Sequence, residues 1–159
     1  MIERIRELHD FGRQGQWRAA LVTLAWLLKQ GVERDVRHIN SAIAACGRGK
    51  QWQRAIDLLG IIEANTINYN TAISACEKAA EWRSALMLLS SMGRMVIQPD
   101  TISYSAAISA CEKCAEWQSA IMLFGTMGQA ALEPDALICS AAMSACEKGA
   151  EWQTALSLL

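Results

Sequence analysis

Across residues 101–135, apolar side chains return every three or four positions in two runs: Tyr104, Ala107, Ile108, Cys111, Cys114 and Ala115, then Trp117, Ala120, Ile121, Phe124 and Met127. That spacing predicts two amphipathic helices, because positions three and four apart share one helical face. The turn between them falls near Ala115 and Glu116. The segment Leu132-Glu133-Pro134-Asp135 ends the second helix, since proline lacks the N–H a helix needs, and Asp135 stands where a side-chain oxygen can cap the next one.

The pattern is written several times. Thr66 to Asp100 reads TINYNTAISACEKAAEWRSALMLLSSMGRMVIQPD, nearly the text of 101–135, and Ala136 to Leu159 repeats its opening. Trp17, Trp52, Trp82, Trp117 and Trp152 are spaced by 35, 30, 35 and 35 residues, and Cys46, Cys76, Cys111 and Cys146 keep the last three of these steps. A period in this range predicts an all-α solenoid of stacked helix-turn-helix hairpins, each burying its apolar face on its neighbours. The whole chain, 1–159, forms one array with units 1–35, 36–65, 66–100, 101–135 and 136–159.

The first unit is degenerate, with Arg4 and Glu7 in the places of Tyr104 and Ala107, as a capping repeat requires. Unit two lacks five residues, expected to come from the turn after its second helix, and closes on Asn65 where the others close on Asp35, Asp100 and Asp135. Unit five keeps Trp152, Ala155, Leu156 and Leu159 of a second helix and stops there, which suggests a longer array or a partner covering that end.

The net charge of −1 argues against a generic polyanion binder, but it hides an asymmetry. Residues 1–65 carry ten Lys or Arg against seven Asp or Glu; residues 66–159 carry five against nine. No stretch approaches the roughly 18 apolar residues of a membrane span. The opening carries Glu3, Glu7 and Asp10, unlike a secretory signal or an acid-poor transit peptide. The repeated cysteines lie beside Ala and Ser on one helical face, a packing role. Cys111 and Cys114 form a lone C-x-x-C, short of the four ligands of a zinc site, so no metal is expected. His9 and His38 lie in different units with no triad-like setting, and no phosphate-binding glycine loop appears, so no enzyme is expected.

A 35-residue helical hairpin ending in Leu/Ile-x-Pro-Asp and followed by x-Ile-x-Tyr-Asn/Ser resembles the pentatricopeptide repeat family in its P-type form. The ACEK segments and the tryptophan opening each second helix look like an algal or protist variant. The resemblance implies a right-handed superhelix that binds single-stranded RNA in a plastid or mitochondrion, one base per unit, read by the fifth and last residues of each unit. Those pairs are Asn40 with Asn65 (pyrimidine), Asn70 with Asp100 (uracil) and Ser105 with Asp135 (guanine), while Ser140 lacks a closing partner and Ile5 with Asp35 specifies nothing clear. Ile67, Ile102 and Leu137, at the second place, resemble the family's base-sandwiching wedges, with Ile2 in the first unit and Arg37 breaking the series. Short polar side chains beside an unstacked base can discriminate its edge.

One feature needs no resemblance. The thirteenth residue of every unit is a cation, Arg13, Arg48, Lys78, Lys113 and Lys148, a ladder able to follow a phosphate backbone. A cation in a helix's last turn also complements the helix dipole, and each lysine has a glutamate three residues later, Glu81, Glu116 and Glu151. The expected function is RNA binding in organellar RNA metabolism; the alternative is a scaffold whose concave face binds protein subunits of a large organellar complex.

Overall fold

The computed structural model describes residues 2–31 and 35–150. Trp152, Ala155, Leu156, Leu159 and Glu151 lie outside the described residues. Among those described, the chain is helical throughout: α1 (Ile2–Gln14), α2 (Trp17–Lys29), α3 (Val36–Arg48), α4 (Trp52–Leu59), α5 (Thr66–Ala79), α6 (Trp82–Arg94), α7 (Thr101–Lys113), α8 (Trp117–Gln129) and α9 (Ala136–Lys148). The odd-numbered helices pack in an unbroken row, and each even-numbered helix bridges its own unit's first helix and that of the next unit. Second helices are set farther apart, α4 reaching α2 through the Arg54 guanidinium over the Trp17 ring at 4.4 Å, so the close-set row of first helices forms the inner face of an α-solenoid.

Small side chains permit that close row. Ala72, Ala75 and Cys76 of α5, and Ala107, Ala110 and Cys111 of α7, are fully buried. Burial pushes the Cys46 thiol up to about 11 and those of Cys76 and Cys111 to about 12, which keeps them protonated packing groups. Tryptophan opens each described second helix, and Trp17 and Trp117 pack across the unit boundary: a Cβ added to Gly49 would lie 2.2 Å from Trp17 Cδ1, and one on Gly149 would lie 2.3 Å from Trp117 Cδ1.

Each hairpin turns through one residue in the left-handed region, at the fifteenth place. Gly15 fills it in unit one, but Lys50, Ala80, Ala115 and Ala150 fill it in the others, with φ between 55° and 60°. The turn after the second helix uses a second such residue, Gly31, Val96 or Ala131.

The five missing residues of unit two come from its second helix and not from the turn. Helix α4 has 8 residues where α2, α6 and α8 have 13. The connection is retained because Asn65 must still reach the N-cap of α5, where its side chain accepts from the Asn68 amide. The first helices are capped alike at α3, α7 and α9 by Asp35, Asp100 and Asp135. In unit one, Arg4 and Glu7 form an ion pair at 2.9 Å, and the Arg4 guanidinium lies over the Trp26 ring.

Candidate nucleic-acid interface

The capping residues sit where the inner face meets the unit boundary, and in units three and four the last side chain of the unit lies in one cleft with the fifth. At the boundary of units three and four the two touch. Asn70 Nδ2 donates to both oxygens of Asp100, at 3.0 and 3.2 Å. Ser103, the third residue of the next unit and fully buried, donates from Oγ to Asn70 Oδ1 at 2.5 Å and accepts from the Asp100 amide at 3.1 Å. The Asp100 carboxylate also caps α7 by accepting from Ser103 N at 2.9 Å. Burial alone would raise the Asp100 pKa, but the bonds from the Ser103 amide, the Asn70 side chain and the Ile102 amide outweigh it and hold the group below its ordinary value.

This trio fixes which edge of Asn70 is used: its carbonyl oxygen points to Ser103 and one N–H to Asp100. Ile67 and Ile102 stand on either side, each 64 % exposed, and with Asn70 and Asp100 they line a cleft of about 420 Å³. Two protruding aliphatic side chains flanking an oriented amide make a slot suited to a flat, hydrogen-bonding ring.

The neighbouring cleft, about 380 Å³, repeats the arrangement with Ile102, Ser105, Asp135 and Leu137. Here Asp135 caps α9 at Ile138 N, 2.8 Å, and no hydrogen bond joins it to Ser105 among the described residues. In unit two, Asn65 caps α5 and makes no bond to Asn40; Asn40 Oδ1 and Asn68 Nδ2 are buried without partners among the described residues. Arg37, in the wedge position of unit two, is drawn to Asp35 by a two-nitrogen ion pair, which lowers the Asp35 pKa. Ser140 is exposed on α9, and Leu137 and Ile2 are exposed as the other wedge positions.

The cation ladder lines up on the inner face but is not uniform. Lys113 Nζ lies 2.8 Å from Glu77 Oε1 and Lys148 Nζ 2.5 Å from Glu112 Oε1. Each glutamate is the twelfth residue of the preceding unit, so Lys113 turns away from Glu116, the local partner three residues ahead. The Lys148 bond leads in lowering the Glu112 pKa, and Ser144 Oγ adds a bond at 3.1 Å. Arg48 reaches back to the same twelfth place but finds a glycine, and donates to the Gly12 carbonyl at 2.6 Å. Arg13 and Lys78 are exposed and make no ion pair or hydrogen bond among the described residues.

Sequence reading missed Ser103, Glu77 and Glu112. The last two were signalled: units one and two read Gly-Arg at places twelve and thirteen, and units three to five read Glu-Lys. It also left His9 and His38 apart, yet their ring centroids lie 5.8 Å apart and His9 Nδ1 is 2.6 Å from Ser41 Oγ.

The PPR repeat family matches residues 64–113, and the PPR repeat matches residues 102–130. Together the two matches span residues 64–130, within units three and four. Solved structures agree on the architecture of the array. The pentatricopeptide repeat protein PPR10 from maize superposes with a TM-score of 0.76 at 24% identity, over 98% of this chain and 23% of that one. PPR10 in complex with an 18-nt psaJ RNA element gives 0.82 at 18% identity over 99% and 24%. The PPR domain of Arabidopsis thaliana protein-only RNase P 1, in complex with tRNA, gives 0.75 at 15% identity over 96% and 84%. The chain spans about a quarter of the PPR10 chains it matches. Among curated proteins no relative matches. Among the described residues of the array, no helix is long and apolar enough to cross a membrane, and no group of three His, Cys, Asp or Glu is placed to hold a metal ion.

Proposed function

We propose that this chain binds single-stranded RNA on the row of first helices, reading one base per cleft and acting as a binding protein without catalysing a reaction. The observation that carries this reading is the Asn70–Asp100–Ser103 trio, which presents an oriented amide in a slot between two exposed isoleucines. PPR10 and the PPR domain of protein-only RNase P 1, both solved with RNA, supply support by similarity of fold. The repeats fit the P-type form in an algal or protist variant, and the setting is a plastid or mitochondrion, where the chain or a longer array containing it serves RNA metabolism. The successive pairs read pyrimidine, uracil and guanine. Three stacked bases at about 1–3 kcal/mol each give modest affinity on their own, so selectivity should exceed strength.

The test is binding of the purified chain to short single-stranded RNAs containing pyrimidine-U-G against permuted controls, at two salt concentrations. Selective binding to the matched sequence is expected, and Asn70→Thr should change the preference at one base without unfolding the chain. Equal affinity for all permutations would overturn the base reading. No binding at low salt by a folded chain would reassign the surface to protein partners of a large assembly.

A further inference from the structure

The cations of the inner face divide into two sets according to what stands behind them. Lys113 and Lys148 each face a carboxylate of the preceding unit, Glu77 and Glu112. Arg48 faces a carbonyl, which leaves its positive charge uncompensated, and for Lys78 the twelfth place of the preceding unit is Gly47, which has no side chain to offer. Glycine at this twelfth place also belongs to the packing of that end: a Cβ on Gly12 would lie 2.9 Å from the Ser41 carbonyl oxygen, and one on Gly47 would lie 3.0 Å from Ala75 Cβ. A side chain at Gly12 would therefore require the Ser41 backbone to shift, and one at Gly47 would press α5 outward by a few tenths of an ångström.

The clefts follow the same division. Between α1 and α3 a cleft of about 540 Å³ is lined by Arg6, Arg13 and Arg48 against one acid, Asp10. The Asn70 cleft is lined by Arg48 and Lys78 with Asp100. The charged residues lining the Ser105 cleft are Glu77 and Asp135, both acidic.

We infer that the phosphate backbone is gripped along the first three units, by Arg13, Arg48 and Lys78, while in the last two units the ladder lysines are staples between repeats. This rests on the RNA reading above and assigns it a polarity: one end of the bound strand is held by charge, and the other is held by stacking and base contacts past a surface of carboxylates. A half-exposed ion pair adds little to stability, so its consequence lies in removing a phosphate ligand and placing an acid beside the strand. Three gripping cations set the dependence of log affinity on log salt near −2, against about −3.5 for five.

The experiment is a salt titration of affinity for the matched RNA, using the full chain and its variants Lys78→Gln, Lys113→Gln and Glu77→Gln. The inference expects Lys78→Gln to flatten the slope by about 0.7, and Glu77→Gln, which releases Lys113 and removes an acid from the Ser105 cleft, to steepen it by about as much and raise affinity several-fold. It is overturned if Lys113→Gln flattens the slope as Lys78→Gln does, or if Glu77→Gln leaves slope and affinity where they were. Absence of wild-type binding at low salt would defeat the RNA reading itself, whereas selective binding with equal losses at Lys78 and Lys113 would defeat the polarity alone.

Discussion

At the boundary of units three and four, Asp100 caps a helix and holds Asn70 with the same carboxylate; at the boundary of units two and three, Asn65 caps the corresponding helix and makes no bond to Asn40. The closing residue has two tasks, and the difference lies in acceptor capacity. A carboxylate offers two oxygens with about four lone-pair sites, whereas an amide has one acceptor oxygen, and the cap uses it. The third residue of the following unit repeats the contrast. Ser103 gives a hydroxyl hydrogen to Asn70 Oδ1, but Asn68 points its oxygen at the Asn65 amide, leaving Asn68 Nδ2 and Asn40 Oδ1 buried and unpaired. The amide at the fifth place is thus oriented in unit three and left unanchored in unit two.

Removing the carboxylate should have the largest effect. Asp100→Ala deletes the cap of α7 and the acceptors for Asn70 Nδ2, and the two losses predict destabilisation of about 3 kcal/mol. Urea unfolding measures it, and a loss below about 1 kcal/mol would show that the trio is incidental. The same variant should lose discrimination at the base facing unit three while keeping its backbone grip.

The weaker boundary can be rebuilt from the stronger. Asn68→Ser places unit four's third residue in unit three, with a hydroxyl that can accept from the Asn65 amide and donate to Asn40 Oδ1. Pairing a buried oxygen and removing a stranded N–H predicts a gain of about 1 kcal/mol. A lower unfolding midpoint would mean that the shortened α4 holds the two side chains too far apart for any hydroxyl to bridge. Asn65→Asp supplies the second oxygen from the other side, and a carboxylate suits a helix N-terminus; the expected gain is about 0.5 kcal/mol, with sharper selectivity at unit two read by the same RNA competition.

Much of this contrast could be read before any coordinates. Helical periodicity located every described hairpin, and the closing Asp of units one, three and four announced its cap, because both are local and repeat. The five-residue deletion was misplaced because a gap in an aligned repeat does not say which side of a helix end it removes. The requirement that Asn65 reach α5 decided it, and that is a tertiary demand. Ser103 escaped notice because a serine in a helix's first turn is ordinary; its importance comes from Asn70, 33 residues earlier in sequence. Glu77 was invisible as a partner of Lys113 because local spacing favours Glu116, and the stacking distance between first helices, which brings residues 36 apart together, is a property of the array. The Gly-Arg to Glu-Lys change was the available signal.

Unit three also carries a cost that shortened unit two lacks. The turn delivering Asp100 to its cap passes through Val96 at φ 58°, a conformation in which a β-branched side chain is crowded. Val96→Gly relieves that strain and gives back part of the gain as unfolded-chain entropy, for a net stabilisation of about 0.5 kcal/mol by urea unfolding. Destabilisation would show that Val96, although 85 % exposed, contributes packing that outweighs its strain.

The smallest effect distinguishes the two boundaries by charge. Asp100 has a pKa below its ordinary 3.8 because three hydrogen-bond donors outweigh its burial; Asn65 cannot titrate. A depressed folded-state pKa contributes stability that is fully present above the unfolded value and disappears as pH falls through the folded one. Between pH 6 and 5 the stability of the wild type and of Asp100→Asn should therefore run parallel, and below about pH 4 they should converge as Asp100 takes up its proton. Asp35 and Glu112, held low mainly by Arg37 and Lys148, contribute to the same acid limb in both proteins and cancel in the difference. Curves that stay parallel down to pH 2.5 would mean that Asp100 binds its donors no better charged than neutral, and the advantage of a closing aspartate over a closing asparagine would then reside in its count of acceptors alone.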